Sequence, residues 1–233
     1  MREVATWPIE TAVSPASCTP EWLQKVVERG AFDGSHVLSG NPQYEKIEST
    51  TDATTVERCW ESDWDSQRQT VLPEPILDRA TEVAEEADSV VAHHQQPHWP
   101  YVAKLDEEWL LAYDDLGSWQ GSDGEVDSVQ VAMQRGLISV REAQRAYRAS
   151  VQSIWETLVP YLVRWIERGN TVVVTADHGE TFGRLQDFLF YEHPCGCHLP
   201  PLVNVPWAEF RPAETTETGD DLEDRLRALG YAD

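Results

Sequence analysis

Residues 171–180 read Thr171-Val172-Val173-Val174-Thr175-Ala176-Asp177-His178-Gly179-Glu180, and this stretch organises the chain. Thr171 to Thr175 is a β-branched run with the breaker Gly169-Asn170 before it and polar residues after it. That profile predicts a strand buried on both faces, as in a parallel sheet. Open α/β sheets bind ligands beyond the carboxyl ends of their strands, and there the chain sets Asp177 and His178 side by side. A carboxylate and an imidazole are both ligands for a divalent metal, and Gly179 allows close backbone approach. The competing reading is a strand-end Asp capping the next turn, with His178 exposed.

Upstream, Ser139 and Glu142 have the spacing of a capping box that opens the longest helix. Its apolar face is Tyr147, Val151, Ile154, Trp155, Leu158, Leu162, Trp165 and Ile166, with a kink expected at Pro160 and termination at Gly169. Further helices are predicted from the N-cap Thr19 to Gly30, over Pro73 to Ala87, and over Asp220 to Leu229. Strands are predicted at Ser35–Leu38, Ser89–His93 and Leu202–Val205. Residues 1–13 and 43–72 carry no clear signal, and 102–127 read as a long loop with a short helical piece. Alternating helix and strand predict one α/β domain over residues 1–233, with a mostly parallel sheet and helices on both faces.

Asp and Glu number 41 against 18 Lys and Arg, a formal net charge of -23, spread along the whole chain. Self-repulsion on that scale destabilises a compact state unless salt screens it, so the composition is that of a protein adapted to high salt. Thermal melts across a salt series should show the midpoint rising by roughly 2–4 °C per kcal/mol of repulsion screened. A midpoint that does not move from low to molar salt would refute this. No basic stripe is present to neutralise phosphates, which argues against a nucleic-acid partner. No apolar run approaches the roughly 20 residues of a membrane span, and no signal core follows Met1, so a soluble, cytoplasmic protein is expected. Cys18, Cys59, Cys195 and Cys197 are too few for a disulfide framework at this size, and Cys195 and Cys197 are expected as free thiols in a mobile Pro/Gly-rich lid.

Three polar clusters fall at expected strand ends or just beyond: Ser17-Cys18-Thr19, His94 to His98, and Asp177-His178. Two later histidines, His193 and His198, sit in the Cys-rich loop. A hydroxyl or thiol at a helix start has the dipole and free N–H groups to stabilise developing negative charge. Imidazoles grip the oxygens of a tetrahedral anion, and a metal activates a nucleophile and polarises an ester. The alternative for His94 and His98 is a packed aromatic loop with Trp99 and Tyr101.

The runs Val174–Glu180, His94–Tyr101 and Leu226–Tyr231 resemble the alkaline phosphatase/sulfatase superfamily, most of all its sulfatase branch and the related phosphoglycerol-transferase-type enzymes. The resemblance extends loosely over residues 14–232. It implies an alkaline phosphatase-like fold, shortened at the N-terminus, acting on a small anionic sulfate or phosphate ester. It implies a divalent metal (calcium, manganese or zinc) on Asp177 and His178. It also implies anion contact by His98, with His94 and His193 in the substrate site. The nucleophile would be Cys18 or Thr19, with Ser17 as a further hydroxyl. Trp22 stands where the sulfatase pattern has Arg, and only 17 residues precede Cys18, without the acidic strand end the family carries there. A non-catalytic relative that binds an anionic ligand or a partner is the alternative.

Overall fold

The structure is a computed structural model and describes residues 9–46, 54–112 and 128–212. In chain order it opens with β1 (Glu10–Val13), α1 (Thr19–Glu28), β2 (His36–Ser39) and a 3-10 turn at Pro42–Lys46. Next come β3 (Thr55–Arg58), α2 (Cys59–Ser62), β4 (Trp64–Asp65), β5 (Thr70–Val71), α3 (Pro73–Val83) and β6 (Val90–His93). The hairpin β7 (Val102–Leu105) and β8 (Glu108–Leu111) precedes α4 (Val129–Gln134) and α5 (Val140–Glu167). β9 (Val172–Thr175), α6 (Pro200–Val203) and β10 (Asn204–Phe210) complete the described chain.

The expected large parallel sheet, and with it the alkaline phosphatase-like fold, is not what forms. The parallel pairing among the described residues is confined to three strands, in the order β3-β2-β6. A second three-stranded sheet, β1-β10-β9, is antiparallel, and β4-β5 and β7-β8 are two-stranded. The strand expected at the centre, β9, is an edge strand with one partner. Its burial alternates: Val172 and Val174 face the core while Val173 and Thr175 face out. A run of five β-branched residues is compatible with either environment, because β-branching suits any pleated surface.

α5 begins with the expected capping box: Glu142 N donates to Ser139 Oγ at 3.2 Å and Ser139 N to Glu142 Oε2 at 2.9 Å. The helix continues past Pro160, and Gly169 follows it with φ +90°. Its buried Leu162, Trp165 and Ile166 join Ile76, Leu77 and Ala80 of α3, Val37 and Leu38 of β2, and Ala208 and Phe210 of β10 in the main core. α1 adds Leu23 and Val26 to this core. Cys18, not Thr19, is its N-cap; Thr19 is the first helical residue and Pro20 the second. A second core gathers Tyr101, Val129, Met133, Ala143 and Phe182.

Several unassigned or loop-like stretches proved ordered, notably β1, β3 and the β7-β8 hairpin. The helix expected at Asp220–Leu229 lies outside the described residues. None of the described helices is long and apolar enough to cross a membrane. β10 runs antiparallel to both neighbours, so β1 and β9 point the same way and deliver Ser14 and Asp177 to one place. There the Ser14 hydroxyl donates to the Asp177 carbonyl.

Candidate active site

Thr19 opens α1 with its side chain buried, and its Oγ1 donates to Asp177 Oδ2 at 2.7 Å. The same hydroxyl lies 3.3 Å from His178 Nε2, which is 3.5 Å from Asp177 Oδ2. His178 Nδ1 donates to the Gly179 carbonyl at 2.8 Å, leaving a lone pair on Nε2 that faces Thr19. The His178 side chain is only 7 % exposed, which rules out the exposed-histidine reading. Gly179 is required here: a Cβ would collide with the Pro201 carbonyl oxygen, and the Gly179 amide donates to Leu202 O at 2.7 Å. α6 thereby fixes the segment that carries Asp177 and His178.

β6 ends in His93, whose Nε2 lies 3.8 Å from Asp177 Oδ2 and whose Nδ1 lies 2.9 Å from the Tyr44 hydroxyl. Burial alone would raise the Asp177 carboxyl. The neighbouring His93 and His178, with hydrogen bonds from Thr19 and the His178 amide, hold it below its ordinary value. Burial lowers His93, His94 and His98, with His94 brought down to about 4 and His193 to about 3, so these imidazoles are neutral near pH 7.

A second group lies alongside. His98 Nε2 and His193 Nε2 are 2.9 Å apart, and the His193 ring stands 4.4 Å from that of His178. With Glu180 they form the one set of three His, Cys, Asp or Glu side chains among the described residues with potential ligand atoms mutually within 4.8 Å. Burial pushes the Glu180 carboxyl up to about 8, with the Glu192 and Asp177 charges adding to it and hydrogen bonds from the Thr181 amide and Gln130 opposing it. His94 Nδ1 is buried and lacks a hydrogen-bond partner among the described residues.

The structure changes the reading of the cysteines. Cys18 and Cys195 form a disulfide, with Cα atoms 5.1 Å apart, so Cys18 is no nucleophile and Cys195 no free thiol. Cys197 is free as expected. The supposed lid is fastened down. Ser17 Oγ donates to Pro194 O at 2.8 Å and accepts from the Cys197 amide at 3.1 Å, which commits that hydroxyl to the loop. Glu21 accepts from the Gly196 amide at 3.0 Å and from Lys25 at 2.6 Å, and lies 2.9 Å from His198 Nε2. Sequence spacing cannot reveal Gly196 and His198 as partners, since they lie some 175 positions away from Glu21 in the chain.

Burial would raise the Glu21 carboxyl, but the bonds from Lys25, Gly196, His198 and Ser17 bring it to about 2. A carboxyl depressed in the folded state contributes stability above its unfolded pKa and loses it as pH falls through the folded value. Glu21→Gln should therefore cost on the order of 3 kcal/mol at pH 7 and nothing below about pH 2. Urea melts of both proteins between pH 2 and pH 7 check this, and an equal gap at both ends would refute it.

Comparison of the chain with protein-family models, curated proteins and solved structures gives no match.

Proposed function

We propose that this chain hydrolyses or transfers the acid group of a small phosphate or sulfate ester, with Thr19 as nucleophile. The observation that carries this reading is the Thr19 hydroxyl held 2.7 Å from Asp177 Oδ2 and 3.3 Å from His178 Nε2 at the first residue of α1. An unactivated hydroxyl is a poor nucleophile, and an adjacent base is the usual remedy. Thr19 Oγ1 attacks the phosphorus or sulfur, the bond to the ester oxygen breaks, and the hydroxyl proton passes to Asp177 or His178. The departing alkoxide takes that proton from the base; water, losing a proton to the same base, then cleaves the ester on Thr19, and that proton restores the Thr19 hydroxyl. The α1 N-terminus offers backbone N–H groups and a favourable dipole to the developing negative charge.

Asp177, His178 and the Thr19 hydroxyl also fit a divalent cation, since their three facing atoms lie within 3.5 Å of one another. Such an ion would polarise the ester and neutralise charge. The resemblance to the sulfatase branch supports this chemistry through short runs of sequence only. The Cys18–Cys195 disulfide favours an oxidising surrounding over the cytoplasmic one expected from sequence.

The second reading is a protein that binds an anionic ester without turning it over. It is favoured by the absence, among the described residues, of a third His, Cys, Asp or Glu ligand grouped with Asp177 and His178. Turnover of p-nitrophenyl phosphate and sulfate in molar salt with manganese, zinc or calcium separates the two. Calorimetry with manganese or calcium should show one weak site lost in the Asp177→Ala, His178→Ala double variant. Ester binding without turnover would leave only the second reading.

A further inference from the structure

We infer that His98, Glu180 and His193 form a binding site for a divalent transition-metal ion of the zinc class, separate from the Asp177–His178 pair. The inference does not depend on the ester chemistry. It rests on three side chains brought together from the loop after β6, the segment after β9 and the loop before α6.

His98 is prepared as a ligand. Its Nδ1 donates to the Trp99 carbonyl at 2.8 Å, which fixes the ring and leaves the Nε2 lone pair turned to His193. Metal-ligating histidines are oriented in this way by a bond from the other ring nitrogen. The Nε2 atoms of His98 and His193 are 2.9 Å apart, and two nitrogens about 2.0–2.1 Å from a common zinc lie roughly 3 Å from each other. His193 Nδ1 is buried without a hydrogen-bond partner among the described residues, and Nε2 is paired with the His98 ring.

Glu180 supplies the negative charge. Its carboxylate accepts from its neighbour's amide, Thr181 N, at 3.2 Å and from Gln130 Nε2 at 3.4 Å. No Lys or Arg among the described residues forms an ion pair with it. As a ligand its carboxylate would have the bound cation as its countercharge. Without an ion, the two imidazoles share one hydrogen bond and His193 Nδ1 has no hydrogen-bond partner among the described residues.

The donor set fixes the class of ion. Two imidazoles and one carboxylate suit zinc, cobalt(II) or iron(II), whereas calcium and magnesium require mainly oxygen ligands. Three protein ligands leave at least one coordination position open. With the His193 ring 4.4 Å from that of His178, an oxygen of an anion near Thr19 could occupy that position. Contact between His98 and the anion, implied by the sequence resemblance, would then run through the ion.

Cobalt(II) titration of the intact chain in molar potassium chloride tests the site, with visible ligand-field absorption as readout. One cobalt per chain is expected in the wild type. Glu180→Gln and His193→Ala should weaken it by at least roughly 100-fold, beyond the effect of an outer-shell change. Asp177→Asn should leave the absorption in place. Absence of the bands in the wild type, or their loss in Asp177→Asn with retention in Glu180→Gln, would overturn the inference. Zinc-edge X-ray absorption on the unmutated protein guards against variants that fail to fold: two imidazoles per zinc are expected, and one imidazole would reject the site. Cobalt bound on the trio without ester turnover keeps the site and removes the ester reading. Turnover that requires Asp177, with no ion on the trio, does the reverse.

Discussion

Removing the Cys18–Cys195 disulfide, by reduction or by the Cys18→Ser, Cys195→Ser double variant, lowers stability by about 2–5 kcal/mol. The bond closes a loop of 177 residues, and for a loop that long the chain-entropy relation gives about 5 kcal/mol. Part of that is returned, because Ser17 and Glu21 hold the same loop to α1 without the bond. A melting-midpoint drop of roughly 4–20 °C corresponds to this range for a protein of this size. Melts with and without a phosphine reductant check it in both wild type and variant. Cys59 and Cys197 remain as thiols in both, and Cys59 is buried, so alkylation in denaturant counts two groups in the oxidised wild type. Four alkylated thiols without a reductant and an unmoved midpoint would mean that the bond does not form.

On the proposed ester chemistry, Thr19→Val should abolish turnover, with a fall of roughly 10³–10⁶-fold in kcat, the range seen when a nucleophile is removed from a working triad. Valine keeps the shape and the β-branch, so helix entry is preserved. What disappears is the hydroxyl between Asp177 and His178. Thr19→Ser restores the hydroxyl with one methyl fewer and should recover much of the rate. Cys18→Ser, tested beside it, should act through stability alone, because the Cys18 sulfur is bonded to Cys195. Full turnover in Thr19→Val would eliminate Thr19 as nucleophile. Turnover lost equally in Thr19→Ser would assign the residue a packing role.

How much of this was legible in the sequence differs by element. α5 was readable because its signals are local: the Ser139–Glu142 box, an apolar stripe at three and four, and a terminating glycine. The sheet was misread because Val172–Thr175 states only that a strand forms, and the identity of its partner depends on residues 204–210. The placing of Asp177 and His178 just past a strand end was legible because the β-branched run and the polar residues after it are adjacent in sequence. Glu180 stood in the same quoted run, but its place beside His98 and His193 is visible only in space. His93 was hidden similarly, as the last residue of a strand whose end meets Asp177 only in space. The Cys18–Cys195 pairing links positions 177 apart, and no spacing rule reaches that far.

The pairing of β1 with β10 has a consequence in time. Glu10 pairs with Trp207 and Val13 with Asn204, so the first described strand finds its partner only after nearly the whole described chain has been made. At about 5–20 residues per second of synthesis, β1 waits on the order of 10–40 s on the ribosome with its edge unmatched. Ser14, Thr19 and Glu21 wait with it for Asp177, His178, Gly196 and His198, which all lie beyond residue 176. The helices and the parallel strands β2, β3 and β6 can assemble in that interval, and the end of the molecule that holds Thr19 against Asp177 is the last part to exist.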